Sequence, residues 1–261
     1  MQSIRPWLMM ALLGGLCWFQ FVNHLPAHAL ARSFVDQFDE RPVRRILFVG
    51  NSRMYANDLP HTVREMADSA GSAVRYDMVV HALPARTLDQ HWREGQVHRL
   101  LGQAGLEQVI FQAASSEHMD ERMVANFQSY GTAFANEAGR RRLPASIIVG
   151  WTYGPGELDK WEISAADYHL RIQNDHQQLA LASGLDLINV GSVWRKMELQ
   201  PAPFPLTTDG NHPSVQGTYV AALMVYAHLA GTDGSEVRHV PDGMTPDQAA
   251  SIRAAVAAYL S

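Results

Sequence analysis

The chain has 261 residues, of which 47% are hydrophobic and 18% are charged, and its formal net charge is −5. This composition is enough to bury one substantial core and shows no bias towards disorder. A net negative chain lacks the positive surface that binds a phosphate backbone, so we expect no nucleic-acid partner.

The amino terminus has the pattern of an export signal. Arg5 precedes a long apolar run over residues 6–22, and residues 27–31 (AHALA) offer the small side chains that a signal peptidase accepts. The run is only slightly short for a membrane span, so a retained anchor is the alternative. We therefore predict a cleaved signal over residues 1–31 and a single domain over residues 40–261. The mature protein is then periplasmic or secreted, and it contacts a membrane only if the segment stays uncleaved.

The sequence has five strand candidates, of which the first, residues 45–50, is a continuous apolar run rich in β-branched residues, the pattern of a buried parallel strand. The five candidates cover residues 45–50, 74–81, 108–112, 145–150 and 186–190.

Helix signals alternate with these strands. Capping residues predict helices that begin at Thr62, Thr87, Ser116, Ser164 and Thr245, and one more helix covers residues 214–230. Strands that alternate with helices in this way imply βαβ units and a mostly parallel sheet. The predicted fold is a three-layer α/β/α sandwich around a doubly wound, five-stranded parallel sheet of flavodoxin-like order.

Ser52 lies directly after the first predicted strand, where ligands bind in an open α/β sheet. A serine at this point can expose its hydroxyl beside free N–H groups of the following helix, which favour a developing negative charge. Taken alone, a serine at this point is more often an ordinary turn or helix-cap residue.

Asp209 and His212 lie three residues apart in a turn before the closing helices. Such a carboxylate can orient the imidazole, and the imidazole can then act as general base to a serine. The alternative is an Asx turn beside an exposed histidine.

Together, Gly50-Asn51-Ser52 and Asp209-x-x-His212 resemble the SGNH (GDSL-like) hydrolase superfamily, with Asn51 where many members have Asp. Residues 46–60 and 209–219 look like a poorly characterised bacterial branch of it. The resemblance implies a serine hydrolase in which Ser52 is the nucleophile, His212 is the base and Asp209 orients His212.

The same resemblance implies an oxyanion hole with three donors, namely the serine N–H, a glycine N–H after the second strand and an asparagine side chain after the third. Ala85 occupies the glycine position and Ala114 the asparagine position. We expect the N–H groups of Ser52 and Ala85 to remain donors. Gln112 is the preferred replacement for the asparagine, and Ser115 is the other candidate.

Several neighbouring residues are candidates for substrate binding. Arg53 and Arg86 could hold a carboxylate, a sulfate or a sugar acid, and Asn57 could bind near the nucleophile. The alternatives are solvated arginines and a turn asparagine. Trp151 and Tyr153 follow the fourth strand and could stack on sugar rings, although core packing is the alternative.

No metal or cofactor is predicted. The pairs His91/His98 and His169/His176 have helical spacing, but no HExxH motif and no carboxylate completes either set. The only cysteine, Cys17, lies in the predicted signal, so the mature chain would have no thiolate ligand. Phosphate-binding and dinucleotide-binding glycine motifs are absent from the sequence.

The sequence therefore predicts an exported esterase or deacetylase that cleaves a small-molecule or carbohydrate ester through an acyl-serine. An acyltransferase that uses the same intermediate is one alternative. The other is a non-catalytic binding module, which Ala114 favours and which the retained Ser52, Asp209 and His212 argue against. No oligomeric state is predicted.

Overall fold

A computed structural model of the chain describes residues 36–200 and 204–261. Val43–Ser261 forms one compact unit, which contains all of the elements described below. The predicted export signal lies outside the described residues. Among those residues, no helix is both long enough and apolar enough to cross a membrane.

Five strands form one parallel sheet in this unit. They are β1 (Val43–Gly50), β2 (Arg75–Ala82), β3 (Leu106–Gln112), β4 (Ala145–Ile148) and β5 (Asp186–Ile188). Their order across the sheet is β2-β1-β3-β4-β5, which confirms the predicted flavodoxin-like order. The chain leaves β1 and β3 in opposite directions, so the carboxyl ends of these two strands form the switch point where a ligand is expected.

Helices cover both faces of the sheet. They are α1 (Ser52–Tyr55), α2 (Leu59–Ser69), α3 (Leu88–Glu94), α4 (Gln96–Leu101), α5 (Glu121–Arg140), α6 (Pro155–Leu158), α7 (Ala165–Ser183), α8 (Val190–Glu198), α9 (Val215–Ala230) and α10 (Pro246–Leu260). Short 3₁₀ turns cover Ser115–His118 and Asp159–Trp161.

The central strand β1 explains the three layers. Ile46 and Phe48 pack into the core that contains α2, α8, α9 and α10, while Leu47 and Val49 pack into the core beneath α3, α4, α5 and α7. Because successive side chains of a strand point to opposite faces, both faces of β1 are buried, which is why its sequence is a continuous apolar run. The predicted three-layer α/β/α sandwich is confirmed.

Three helix boundaries differ from the prediction. Asp58, and not Thr62, caps α2, and the Thr62 hydroxyl instead donates to the Asp58 carbonyl from within the helix. Asp120, and not Ser116, caps α5, because Ser116 lies in the preceding 3₁₀ turn. Gly95 takes a left-handed φ of 72° and divides the predicted helix after Thr87 into α3 and α4.

Candidate active site

Ser52 is the first residue of α1, immediately beyond β1. The preceding Asn51 is buried and ties this turn to the end of β3. Its side-chain oxygen accepts a hydrogen bond from the Arg53 N–H (3.1 Å), and its amide nitrogen donates to the Ala113 carbonyl (3.0 Å). An ionised aspartate has no hydrogen to donate to that carbonyl, so asparagine suits this position.

Ser52, His212 and Asp209 form one hydrogen-bonded line. The Ser52 Oγ lies 3.0 Å from the His212 Nε2, and the His212 Nδ1 lies 2.7 Å from the Asp209 Oδ2. The other carboxylate oxygen, Oδ1, accepts from the N–H groups of Asn211 (2.9 Å) and His212 (2.7 Å). The hydrogen bond from the His212 ring, together with these backbone donors, lowers the pKa of Asp209 to about 2. The carboxylate is therefore ionised at neutral pH and can orient and stabilise the imidazole.

A close approach of two glycines holds the loop that carries Asp209 and His212. The Gly154 N–H donates to the Gly210 carbonyl at 2.5 Å. A Cβ on Gly154 would lie 2.8 Å from the Gly210 Cα, and Gly210 itself has a left-handed φ of 80°. Both positions therefore require glycine.

Arg53 is a buried clamp beside the nucleophile. Its Nε donates to the Asn211 Oδ1 (3.0 Å), and its Nη1 donates to the Trp151 carbonyl (2.6 Å). The guanidinium lies 4.7 Å from the Trp151 ring centre and 5.1 Å from that of Tyr153, and burial lowers its pKa to about 10. Two of the three guanidinium nitrogens are therefore used within the protein. The buried Nη2 has no partner among the described residues, and it is the nitrogen that could still bind the predicted anion.

Trp151 is not a platform for a sugar ring. Its side chain is fully buried and stacks on Trp194 with ring centres 4.1 Å apart. Its Nε1 donates to the Asn211 carbonyl at 3.1 Å. Trp151 therefore supports the Asp209–His212 loop from the core side.

The structure places Asn57 and Arg86 apart from the residues that line the cleft at Ser52. The Asn57 amide donates to the Pro213 carbonyl (2.8 Å) and to the Thr218 hydroxyl (2.9 Å), so it anchors the start of α9. Arg86 pairs with Glu94 at 2.7 Å. Both side chains have protein partners in place of the predicted substrate contact.

The cleft at Ser52 has a volume of about 320 Å³. The side chains and backbone that line it include Ser52, Tyr55, Ala85, Ser115, Ser116, Tyr153 and His212. Ala85 has a left-handed φ of 52°, which is uncommon for a residue with a Cβ and typical of strain retained at a functional site. Glycine adopts a left-handed φ without strain, so the backbone at Ala85 agrees with the glycine that the resemblance places at this position.

Gln112 lies outside this cleft. It is buried beside Gly50 and lines a small neighbouring pocket with Arg53 and His176. Neither its amide oxygen nor its amide nitrogen has a partner among the described residues. Its predicted place in the oxyanion hole therefore has no support in the geometry.

A hydroxyl pair occupies the side of the cleft where the asparagine was expected. The Ser115 hydroxyl donates to the Tyr153 hydroxyl at 2.6 Å, and Tyr168 donates to the Ser115 carbonyl. Because one of these two hydroxyls donates to the other, the pair leaves one hydrogen for a ligand, and with Ser115 as the donor that hydrogen is on Tyr153. The sequence prediction gave Tyr153 a stacking role only, because nothing local indicates that its hydroxyl meets Ser115.

Glu117 fixes the loop beneath this pair and was not found from the sequence. Its buried carboxylate accepts from the N–H groups of Ala114 (2.7 Å) and Leu88 (3.1 Å). The Ala114 N–H is therefore already engaged and is not an oxyanion donor. Burial raises the pKa of Glu117 to about 7.

Comparison with known proteins gives structural matches only. No model of a protein family matches the chain, and no curated protein matches it. Among solved structures, a protein from Slackia heliotrinireducens assigned as an SGNH hydrolase is 26% identical, with a TM-score of 0.59, and covers 72% of this chain and 99% of its own.

Two further structures are more distant. A DUF4886 family protein from Bacteroides uniformis has a TM-score of 0.70 at 14% identity and covers 84% of this chain and 95% of its own. An acetylxylan esterase from Geobacillus stearothermophilus has a TM-score of 0.58 at 12% identity and covers 77% of this chain and 99% of its own. At these identities the likeness shows the fold alone.

The sheet order, the serine after β1 and the Asp-x-x-His turn before α9 define an SGNH-type fold and site. The SGNH hydrolase superfamily is accordingly the family that the structure and its neighbours support for this chain, and the predicted resemblance is confirmed.

Proposed function

We propose that the protein is a serine hydrolase that cleaves an ester through an acyl-serine on Ser52. The observation that carries the proposal is the continuous line from the Ser52 Oγ through both ring nitrogens of His212 to the Asp209 carboxylate. A binding module has no need of this alignment, whereas a nucleophile requires a base in hydrogen-bond reach and a group that orients the base.

The reaction follows from these contacts. The Ser52 Oγ attacks the ester carbonyl while the His212 Nε2 accepts its proton, and the ionised Asp209 stabilises the imidazolium. His212 then returns the proton to the leaving alcohol as the tetrahedral intermediate collapses. Water, activated by His212, hydrolyses the acyl-serine in the second half of the cycle.

Three donors stabilise the oxyanion in this proposal. Two are the N–H groups of Ser52 and Ala85, as the resemblance implies. We assign the third to the hydrogen of the Tyr153 hydroxyl, which Ser115 holds at the edge of the cleft. This hydroxyl pair takes the place of the missing asparagine side chain, since Gln112 is not among the residues that line the cleft.

The substrate class that we propose is a short-chain ester, with an acylated carbohydrate as the leading candidate. A cleft of about 320 Å³ is at the small end of the range for ligand sites. The acetyl xylan esterases among the structures of the same fold act on acetylated sugars, and a polymeric substrate outside the cytoplasm agrees with the predicted export signal. We therefore propose that the protein acts in the periplasm or outside the cell.

Covalent labelling tests the proposal. A fluorophosphonate probe should add one equivalent to the wild-type protein, as seen by intact mass, and none to Ser52→Ala. Ser116→Ala is the matched control, since Ser116 lines the same cleft without a hydrogen bond to His212, and it should label like the wild type. Equal labelling of Ser52→Ala and the wild type would refute the assignment of the nucleophile.

The same acyl-serine also allows acyl transfer to a sugar hydroxyl. Product analysis with an acetylated donor and a polysaccharide acceptor distinguishes the two reactions. Release of free acetate without acetylation of the acceptor is the expected result for a hydrolase.

A further inference from the structure

We propose that His81, His91 and Glu94 bind a zinc ion beside the carboxyl end of β1. The three side chains each offer one ligand atom, and these atoms all lie within 4.8 Å of one another. The site is separate from the Ser52 cleft, and its existence does not depend on the proposed ester chemistry.

His91 has the environment of a metal-binding histidine. It is 0% exposed, its Nε2 lies 2.8 Å from the Gly50 carbonyl, and its Nδ1 has no partner among the described residues. Because the carbonyl can only accept, the Nε2 carries the hydrogen and the Nδ1 presents a lone pair. Histidine ligands commonly donate their second N–H to such a backbone carbonyl, which fixes the ring for the metal.

His81 supplies a second unpartnered ring nitrogen. It lies near the end of the edge strand β2, and its ring centre is 5.2 Å from that of His91. Its Nε2 is buried and has no partner among the described residues. Two adjacent imidazoles that leave buried nitrogens unpaired carry a desolvation cost, which coordination to a shared ion removes.

Glu94 completes the set from the same helix face as His91, because the two residues are three positions apart on α3. Arg86 holds the Glu94 Oε1 at 2.7 Å, which leaves the Oε2 for the ion and orients the carboxylate. Carboxylates that bind a metal are themselves commonly hydrogen-bonded by a supporting group, and Arg86 is in that position here.

The ligand types select the metal. Two imidazoles and one carboxylate suit Zn²⁺, whereas Mg²⁺ and Ca²⁺ take mostly oxygen ligands. Ligands at about 2.0 to 2.1 Å in a tetrahedral site lie roughly 3.3 Å apart, so the side chains must close by about 1.5 Å at most. Glu94 at the exposed end of α3 and His81 at a sheet edge can make this movement while His91 stays fixed. The sequence alone does not bring this set together, because His81 lies on a different element from His91 and Glu94.

The proposed ion would fix the backbone that leads into the nucleophile. The Gly50 carbonyl receives both the His91 N–H and the Leu83 N–H (3.1 Å), so α3 and the end of β2 meet at the residue two positions before Ser52. An ion that joins His81 on β2 to His91 on α3 would hold this junction together.

Calorimetric titration of the full chain with ZnCl₂, after chelator treatment and removal of any affinity tag, tests the site. The wild type should bind one equivalent of zinc, and His81→Ala and Glu94→Gln should each weaken that binding by about tenfold to a hundredfold or more. Both variants change the rim of the site, and Glu94→Gln at the exposed helix end keeps the test valid if His81→Ala fails to fold.

Two matched controls accompany these variants. His169→Ala removes another histidine whose Nδ1 is buried without a partner among the described residues, and Glu157→Gln removes another helix glutamate paired with a cation. Both should bind zinc like the wild type. Bound Co²⁺ gives a second readout, because its visible absorption intensifies in a four- or five-coordinate site. Failure of the wild type to bind one equivalent, or unchanged binding in both rim variants, overturns the proposal, whatever the result of labelling at Ser52.

Discussion

The Tyr153 hydroxyl is the donor whose assignment most affects the proposed chemistry. Tyr153→Phe removes one hydrogen-bonding hydrogen and leaves the ring over Arg53 in place. We expect kcat for a short-chain ester to fall by about 10²- to 10³-fold with little change in KM, because the interaction is made in the transition state. Steady-state kinetics measure both constants.

Tyr55→Phe is the control for this change, since Tyr55 lines the same cleft. It should keep kcat near the wild-type value. If Tyr153→Phe leaves kcat unchanged, the third donor lies elsewhere, and the N–H groups of Ser115 and Ser116 at the start of the 3₁₀ turn are the next candidates.

Glu117 gives a prediction about stability and pH. Its pKa is 4.5 in an exposed carboxyl and about 7 in the folded protein, because burial disfavours the charged form. The native state therefore binds more protons than the unfolded state between these two values, and the free energy of unfolding falls as pH rises through that window. Glu117→Gln removes this contribution, which amounts to about 3 kcal/mol at most.

Urea unfolding of both proteins at about pH 5 and about pH 8 measures the effect. Buried histidines such as His118 and His176 have lowered pKa values and titrate in both proteins, so the difference between variant and wild type isolates Glu117. The free energy of unfolding of Glu117→Gln should therefore increase relative to that of the wild type as the pH rises. A difference that is the same at both pH values would mean that the carboxyl is not buried as described.

At the scale of elements, the turn between β4 and α6 positions the base. Gly154→Ala places a methyl group 2.8 Å from the Gly210 Cα, so the Asp209–His212 loop must shift. A displacement of about 1 Å in a catalytic group can cost about 10²-fold in rate, and we expect a loss of kcat of that order. Fluorophosphonate labelling of Ser52 should slow in parallel.

Gly156→Ala is the matched control for this prediction. A Cβ at Gly156 meets nothing within 4 Å, so the change adds a methyl group in the first turn of α6, two residues from Gly154, without touching the loop. Its kcat should stay close to that of the wild type. Equal losses in both variants would show that the β4–α6 connection, and not the glycine contact, determines the rate.

The elements that sequence predicted well are those whose signals are local. The clearest strand signal is the continuous apolar run of β1, and Thr87, Ser164 and Thr245 cap helices as predicted. Helix α8 was missed because it begins directly after β5, where a short apolar run does not distinguish strand from helix. The end of α3 at Gly95 was also missed. It depends on the left-handed φ of Gly95, and the pattern of apolar residues contains no information about that angle.

The difference between local and long-range signals also explains which site residues were predicted. Ser52, Asp209 and His212 were predicted because they occur in two compact motifs, and the structure brings them together. Arg53 was expected to face a ligand, but it donates to the Trp151 carbonyl, 98 residues away in the chain. A contact between residues so far apart leaves no signal in either segment, so the clamp and the Ser115–Tyr153 pair became visible only in the fold.

At the scale of the whole molecule, residues 43–261 contain both cores and the entire proposed site. The buried clusters on the two faces of the sheet draw all of their members from this unit. A chain that begins at residue 36 therefore keeps every contact described here for folding and for Ser52. We expect it to melt at the same temperature as the full chain and to label with the fluorophosphonate at the same rate.

This truncation bears directly on the predicted signal. If residues 1–31 are a cleaved export signal, the mature protein must fold without them, and the intact mass of exported full-length protein should correspond to cleavage after Ala29 or Ala31. Retention of the full mass in the membrane fraction, with an unchanged melting temperature for the truncated chain, would identify an anchor instead. If the chain that begins at residue 36 melts at a lower temperature, a second chain that begins at residue 32 locates the cause, and a low melting temperature in that chain as well would contradict a cleaved signal over residues 1–31.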